Sequence, residues 1–261
     1  MRLKTVQARQ GVLWVRAGFR VFFRQPFGYS ALFMLFAFSA LVLAEWVPLV
    51  GPVLAMSLMP IATVAFMLAT RETLAGRMPR PKLLVAPLRD RERRNRLLQL
   101  GAMYAAATLA MLLLVKALDG GRLEEAINAA TDAKAAAEAI GDPMVALGLL
   151  MRLAAMALLS LTFWHAPALV CWAGLNPAKA VFASIVACWR GRAAFALYGL
   201  TWFALLLVFI LLAQLLFALI GRPQLMGQAL MPAGLLFSTV LYASVYFSFV
   251  DSFESDEPAA P

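Results

Sequence analysis

The chain has 261 residues, of which 63% are hydrophobic and 14% charged, and its formal net charge is +9. An average soluble domain is about 45–50% apolar and about 25% charged, so this composition excludes an ordinary soluble protein. The basic residues lie between apolar runs and on an N-terminal arm, without the signatures of a nucleic-acid-binding fold, so we expect no nucleic-acid partner.

Residues 1–26 form a basic arm before the first long apolar run. We expect this arm to stay on the protein, because no small-residue cleavage site of a signal peptide follows it. Its arginines recur at helical spacing, which predicts an interfacial amphipathic helix from Gln7 to Arg24. The residues expected to contact anionic headgroups are Arg9, Arg16, Arg20 and Arg24. The alternative is that they only determine the topology.

Six segments are long and apolar enough to span a membrane, which takes about 20 residues each. The predicted spans cover about residues 27–47, 49–70, 97–115, 143–174, 193–220 and 228–250. They form one transmembrane domain, residues 27–250, which an acidic tail follows at 251–261. A short outer helix from Arg122 to Ile140 is predicted between the third and fourth spans. The predicted fold class is therefore an all-α integral membrane protein with six transmembrane helices in three hairpins and amphipathic interfacial helices on the cytoplasmic side.

The fourth segment, Pro143 to Gly174, has 32 residues and is too long for one upright helix at about 1.5 Å per residue. A break is therefore predicted within it. We favour a break before Arg152, which places Pro143 to Met151 on the outer surface and starts the span at Leu153. In the alternative, the helix enters the membrane at Pro143 and Arg152 lies about 13 Å deep.

The orientation follows from the distribution of Lys and Arg. Nine of them lie in the 26-residue loop from Arg71 to Arg96. With the N-terminus inside, the inner segments carry 18 basic residues and the outer segments four. Cytoplasmic loops retain Lys and Arg, so we expect a multi-pass protein of a bacterial inner membrane with both termini in the cytoplasm.

Two further inner segments are candidate contacts for lipid headgroups or a partner protein. Asn176 is a good N-cap and Pro177 suits the next position, which predicts a nearly apolar helix from Asn176 to Arg190 at the inner interface. The candidate contact residues of this helix and of the basic loop are Arg91, Arg93, Arg94, Arg190 and Arg192. The expected partners are anionic membrane lipids, with another membrane protein or a second copy of the chain as alternatives.

The chain also carries the pattern of an internal repeat. A shift of 98 residues aligns Ala75-Gly76-x-x-Pro79 with Ala173-Gly174-x-x-Pro177. The same shift aligns Arg94 with Arg192 and Gly101 with Gly199. This pattern favours three parallel units, each made of an inner segment and a helical hairpin.

Catalytic motifs are missing from the sequence. It has one His and two widely spaced Cys, Cys171 and Cys188, too few ligands for a zinc or redox site. Phosphate-binding loops, metalloprotease pairs and nucleophile elbows do not occur either. We therefore expect no enzymatic activity, no cofactor and no metal.

Ionisable residues at membrane depth are the better functional candidates, because an unpaired charge in hydrocarbon is costly. Three residues qualify, namely Glu45, Arg152 and His165. A pair between Glu45 and Arg152 is reasonable, and its alternative is two separate interfacial charges. His165 could relay protons or bind a ligand, and otherwise it is a neutral residue at a helix break. Pro60, Pro167 and Pro232 are candidate hinges, since each interrupts a predicted span.

Several motifs resemble the BPSS-type family of proteobacterial inner-membrane proteins, whose members have no established activity. The motifs extend over nearly the whole chain, and they include Ala8-Arg9-Gln10-Gly11-x-x-Trp14, Pro48-Leu49-Val50-Gly51-Pro52, Ala166-Pro167-Ala168-Leu169-Val170-x-Trp172, Ala187-Cys188-Trp189-Arg190 and Tyr242-x-Ser244-x-Tyr246. In layout that family is distantly similar to six-span YciC-like proteins. The resemblance implies fold and location, and it supplies no catalytic residue.

Two functional hypotheses remain, beside an integral-membrane lipid enzyme as an outsider, which would need clustered carboxylates or His where only Glu45 and His165 come near. The first is a non-enzymatic module that binds lipid or another membrane protein through a basic cytoplasmic face. The second is a small secondary transporter or exporter that uses the repeat interface as a path. The first is preferred, because the polar residues within the spans are few, mild and scattered.

Overall fold

A computed structural model describes residues 2–48, 50–129, 141–222 and 225–254. Within these ranges, six helical stretches are long and apolar enough to cross a membrane: Pro26–Trp46, Gly51–Leu74, Arg91–Asp119, Pro143–Trp172, Arg192–Leu219 and Met226–Ser252. The predicted all-α fold class is therefore confirmed. The second half of the predicted outer helix, residues 130–140, and the end of the acidic tail lie outside the described residues.

The helices, in chain order, are α1 Gln10–Arg24, α2 Pro26–Trp46, α3 Gly51–Ser57, α4 Met59–Leu74, α5 Arg91–Asp119, α6 Arg122–Ala129, α7 Pro143–Phe163, α8 Ala166–Trp172, α9 Pro177–Arg190, α10 Arg192–Leu219 and α11 Met226–Ser252. Two short 3₁₀ turns, Pro81–Leu84 and Ala86–Leu88, connect α4 to α5. Strands β1 Arg2–Leu3 and β2 Phe253–Glu254 pair in antiparallel register.

The ends of several helices follow from local capping chemistry. The side chain of Asp90 accepts a hydrogen bond from the backbone N–H of Arg93 at the start of α5, at 2.7 Å. Asp142 and Asn176 cap α7 and α9 in the same way, each at 2.8 Å. These side chains satisfy backbone donors that the first helical turn leaves free.

The fourth span breaks at a different place from the one we favoured. Helix α7 runs without interruption from Pro143 through Arg152 to Phe163, and the break lies at Trp164 and His165. The expected break before Arg152 is therefore wrong, whereas the break expected at the candidate hinge Pro167 is found. The cause is Pro167, which has no N–H to donate and whose ring excludes a regular helical turn before it.

Helix α1 lies in the crevice between α10 and α11. Its apolar face is buried against protein, with Trp14 packed on Phe195 and Tyr198 of α10 at ring distances of 5.3 and 6.0 Å. The Trp14 indole N–H also donates to Asp251 of α11 at 2.8 Å. The amphipathic helix thus forms near its expected bounds, but its apolar face packs on the bundle instead of entering lipid.

The two ends of the described chain meet through β1 and β2, where Leu3 pairs with Phe253. The backbone N–H of Lys4 also donates to the carbonyl of Ser252 at 2.9 Å. The termini, the loop of residues 77–90 and helix α9 together form what we call the basic end of the bundle. The turn after α2 and helix α6 mark the opposite end.

Packing is dense towards the basic end and sparse towards the opposite end. Two clusters of buried residues lie there. One is built mainly from α4, α5, α8, α9 and α11, and the other mainly from α1, α2, α4, α10 and α11. By contrast, most apolar side chains of α10 beyond Trp202 are exposed. Exposed apolar side chains on a span are the surface that lipid tails cover.

The two aligned Gly-x-x-Pro motifs share one conformation at the glycine but lead into different elements. Gly76 and Gly174 adopt φ values of +74° and +62° after the last turns of α4 and α8. Only glycine reaches this region without strain, so both motifs end a helix in the same way. After the first motif the chain forms 3₁₀ turns, and after the second it forms helix α9.

Candidate functional site

A groove of about 130 Å³ lies at the centre of the bundle, between α4, α5, α11 and the junction of α7 with α8. Its lining is mainly apolar and aromatic. The residues are Met59, Pro60, Thr63, Tyr104, Ser160, Phe163, Trp164, Pro167, Leu241, Tyr242 and Val245. We call this site the central groove.

The central groove forms where two spans are broken, one between α3 and α4 and the other between α7 and α8. In addition, helices α7 and α11 stay apart there. Pro60 occupies the first turn of α4 and Pro167 the first turn of α8, each directly after a break. Helices α7 and α11 barely touch, although both pack against other helices of the bundle. The loosely packed pair α7 and α11 therefore borders the groove.

The polar groups of the central groove are hydroxyls without a charged partner. Tyr242 donates its hydroxyl to the sulfur of Met59 at 3.3 Å, and Thr63 donates to the carbonyl of Met59 at 3.0 Å. The ring of Tyr104 packs edge-on against Phe163 at 5.2 Å. Apolar walls with a few hydroxyls suit an uncharged chain or the ester region of a lipid. The lining offers no carboxylate, imidazole or thiol for catalysis.

Trp164 closes the central groove towards the basic end. Its indole N–H donates to the hydroxyl of Ser248 on α11 at 2.9 Å. Its ring packs edge-on against Phe195 and Tyr198 of α10, at 5.8 and 5.5 Å. This side chain therefore connects the end of α7 to both α10 and α11.

His165 lies on the far side of Trp164 and does not line the central groove. It is 0% exposed, and its ring packs edge-on against Phe195, Phe249 and Phe253 at 5.4–5.8 Å. Neither ring nitrogen has a hydrogen-bond partner among the described residues. Its backbone N–H donates to the hydroxyl of Ser184 at 3.0 Å. The imidazole is thus enclosed by aromatic rings.

Arg152 and Glu45, both in the described part of the chain, form neither an ion pair nor a hydrogen bond with each other. Arg152 lies beside the ion pair of Lys116 and Glu124, whose nitrogen and oxygen are 2.6 Å apart. Lys116, with a smaller contribution from Arg152, holds the pKa of the Glu124 carboxyl below its ordinary value. Glu45 lies on α2 among Phe38, Leu41, Val42 and Trp46. Glu45 and Arg152 are therefore two separate charges in the structure, as in the alternative to a pair.

The three candidate hinges differ in their surroundings. Pro60 and Pro167 each follow a helix break and line the central groove. Pro232 instead lies inside the continuous helix α11 and away from that groove. The expectation that Pro232 interrupts its span is therefore wrong.

The candidate headgroup contacts are exposed and surround the basic end: Arg9, Arg16, Arg20, Arg24, Arg91, Arg93, Arg94, Arg190 and Arg192. Some guanidinium groups of this end are placed by aromatic rings. Arg192 lies over Trp189 and Arg71 over Trp172, each at 5.6 Å from the ring centre. Arg96 is bonded to Glu92 and to the carbonyl of Gly174, which joins α5 to the end of α8.

The described residues contain no group of three side chains that could hold a metal ion. Cys171 and Cys188 are both free and buried. Sequence reasoning did not find Tyr104 and Tyr242, the hydroxyls of the central groove. Both tyrosines lie within apolar spans. This position was a usable signal of a polar site there, since a buried tyrosine hydroxyl needs a hydrogen-bond partner.

The whole chain is similar to a probable inner membrane protein of Burkholderia thailandensis, with 35% identity over 264 residues. The alignment covers 100% of this chain and 97% of that relative. No family model matches the chain. No solved structure matches it either.

Proposed function

The chain belongs to the family of this probable inner membrane protein, and from that premise we propose that it is a non-enzymatic lipid-binding module of a bacterial inner membrane. Both termini lie in the cytoplasm in this proposal, and the basic end faces anionic headgroups of the inner leaflet. Its partner is membrane lipid, with another membrane protein or a second copy as the alternative. The likeness to YciC-like proteins stays a prediction.

The observation that carries the proposal is the central groove, an apolar and aromatic site between the spans that is bordered by α7 and α11, two helices with few mutual contacts. A gap between spans faces lipid tails directly, so a chain can enter it without crossing water. Tyr104, Tyr242 and Ser160 offer hydroxyl donors near the apolar walls. With a volume of about 130 Å³, the groove suits a short segment of an acyl chain near its ester carbonyl, since a cavity of similar size holds a benzene ring.

The groove lining holds hydroxyls but no carboxylate, imidazole or thiol that would activate one, which supports a binding role over an enzymatic one. Lipid hydrolases and transferases need an activated nucleophile or a general base beside the scissile bond. His165 is sealed behind Trp164 by aromatic rings. It therefore has no access to a lipid in the groove.

The central groove can be tested by filling its mouth. Ser160 is exposed and lines the groove, so Ser160→Phe places a ring in the opening without burying a new polar group. We expect the amount of lipid that co-purifies with the protein in detergent, measured by mass spectrometry, to fall severalfold. The control is Leu158→Phe, on an exposed position of the same helix that does not line the groove. Equal lipid retention by both variants would contradict the proposal.

A small transporter is the second candidate, because broken helices at a central site are typical of secondary transporters. Pro60 and Pro167 place two such breaks at the central groove. Against this, the basic half below the groove is densely packed, with Trp14, Phe66, Leu100 and His165 at most 1% exposed. In proteoliposomes, transport that is abolished by His165→Ala or Arg152→Ala would favour this candidate. Flux that survives both changes would remove the two residues from the mechanism.

A further inference from the structure

A second cavity lies at the basic end, between the last turn of α4 and the loop after it. It has a volume of about 450 Å³. Its lining residues are Glu72, Arg77, Met78, Arg80, Lys82 and Leu83. We call this site the loop cavity. None of these residues lines the central groove, so the two sites are separate.

The walls of the loop cavity are fixed by contacts within the fold. Arg77 binds both carboxylate oxygens of Glu72, at 2.6 and 3.2 Å. The left-handed conformation of Gly76 turns the chain there, and the backbone N–H of Arg77 donates to the Glu72 carbonyl at 2.8 Å. Such a bidentate pair on a tight turn holds the loop in one geometry.

Hydrophobic contacts hold the other side of the loop. Pro79 is buried against Gly28 of α2, and Leu83 packs on the cluster that contains Trp14. The side chains between these two anchors therefore project from a fixed backbone. A preorganised site binds an anion with less loss of conformational entropy than a mobile tail does.

The charge of the loop cavity favours an anionic ligand. Glu72 is matched by Arg77, whereas Arg80 and Lys82 form no ion pair with any described residue. The cavity therefore has two cations in excess. Guanidinium and ammonium groups placed together in this way are the donors that bind phosphate oxygens.

The surroundings identify a lipid as the source of that phosphate. Phe27, at the start of α2, is 82% exposed, and the cavity residue Met78 is 53% exposed. Gly28, which follows Phe27, lies against Met78 and Pro79. Large apolar side chains exposed at the end of a span are typical of the depth where headgroups meet acyl chains.

We propose that the loop cavity binds the phosphate of an anionic phospholipid, with Arg80 and Lys82 contacting the phosphate and Phe27 and Met78 contacting the first part of the acyl chains. Arg77 is a positioning residue that shapes the cavity through Glu72. This site is additional to the central groove, and it gives the protein a preference among lipids by headgroup charge.

The test uses the full chain in neutral detergent and short-chain phosphatidylglycerol as the probe, with the dissociation constant measured by native mass spectrometry. We expect the double variant Arg80→Gln, Lys82→Gln to bind about tenfold more weakly or worse. The matched control is Arg89→Gln, Lys179→Gln, which removes one arginine and one lysine from exposed positions outside the cavity. We expect the control to bind like the unmodified protein.

Equal weakening in the two double variants would mean diffuse attraction to a basic surface and would overturn the proposal. So would equal binding of short-chain phosphatidylcholine, which has no net charge. Inorganic phosphate that binds as tightly as phosphatidylglycerol would overturn the assignment to a lipid.

The Ser160→Phe variant separates this site from the proposed function. It should keep normal phosphatidylglycerol affinity at the loop cavity, because the central groove lies elsewhere. If Ser160→Phe retains all co-purified lipid while the Arg80, Lys82 variant loses phosphatidylglycerol, the groove proposal fails and the loop cavity stands. The reverse pattern overturns the loop cavity alone.

Discussion

At the scale of single residues, Gly101 and Gly199 occupy aligned positions of the repeat and meet opposite surroundings. Gly101 of α5 lies so close to the end of α3 that an added Cβ would overlap the carbonyl oxygen of Ser57. At Gly199 of α10, nothing lies within 4 Å of that position. One glycine is thus required by a helix contact and the other is not.

We expect Gly101→Ala to destabilise the protein by about 1–3 kcal/mol, because α3 and α5 must move apart to admit the methyl group. Gly199→Ala should be neutral or slightly stabilising, since alanine favours a helix by up to about 1 kcal/mol over glycine. The measurement is the midpoint of thermal unfolding in detergent for both variants. Similar midpoints would show that the close approach of α5 to α3 is not needed for stability.

At the scale of elements, the sequence predicted the helices much better than the contacts between them. Length and apolar composition determine a span, so all six spans could be expected from residues 27–250. The packing partner of α1 could not be expected from the sequence, because an apolar helix face can be buried in lipid or against protein. Its position between α10 and α11 depends on contacts such as Trp14 with Asp251, which are 237 residues apart.

The break in the fourth span shows a related limit. Helix length required a break, but charge led us to place it before Arg152. The structure keeps Arg152 within α7 and breaks the chain near Pro167. Backbone chemistry favours the break there, because a proline disfavours the helical conformation of the residue before it. A partly buried arginine can instead place its charged group beside Glu124.

The candidate sites were predicted least well. The central groove needs side chains from five helices, and the loop cavity needs a turn at Gly76 and the contact of Pro79 with α2. These are long-range contacts, which neither periodicity nor charge counting reveals. The basic character of the loop was evident from the sequence, but the pairing of Arg77 with Glu72 was not.

Helix α1 is the element whose packing can be tested most directly. We expect Trp14→Ala to cost about 3–5 kcal/mol, because it removes a buried ring and its hydrogen bond to Asp251. Backbone amides of residues 10–24 should then exchange with deuterium much faster. Leu13→Ala is the control, since Leu13 is 46% exposed on the other side of the helix. Unchanged exchange in the Trp14 variant would mean that α1 is held by other contacts.

At the scale of the whole molecule, the pairing of β1 with β2 places both ends of the described chain at the basic end. An even number of spans requires this arrangement. With 18 basic residues on that side, we expect the basic end to face the cytoplasm.

The orientation can be measured in intact cells with a thiol reagent that does not cross membranes. We expect Arg222→Cys, at the opposite end, to be labelled and Arg89→Cys to be labelled only after the membrane is opened. The native cysteines should stay silent, because both are buried and burial raises the pKa of the Cys188 thiol to about 12. At about pH 8 that thiol is protonated and unreactive. Labelling of Arg89→Cys from outside would reverse the orientation.

The position of α1 also has a consequence for biosynthesis. The crevice that holds α1 is formed by α10 and α11, and α11 ends at Ser252. During synthesis at about 5–20 residues per second, the first helix therefore waits on the order of ten seconds or more for its binding site. In that interval its apolar face lacks its contacts with α11. Helix α1 thus completes its packing only once α11 has been made, and a chain truncated before α11 would leave the indole N–H of Trp14 without its acceptor Asp251.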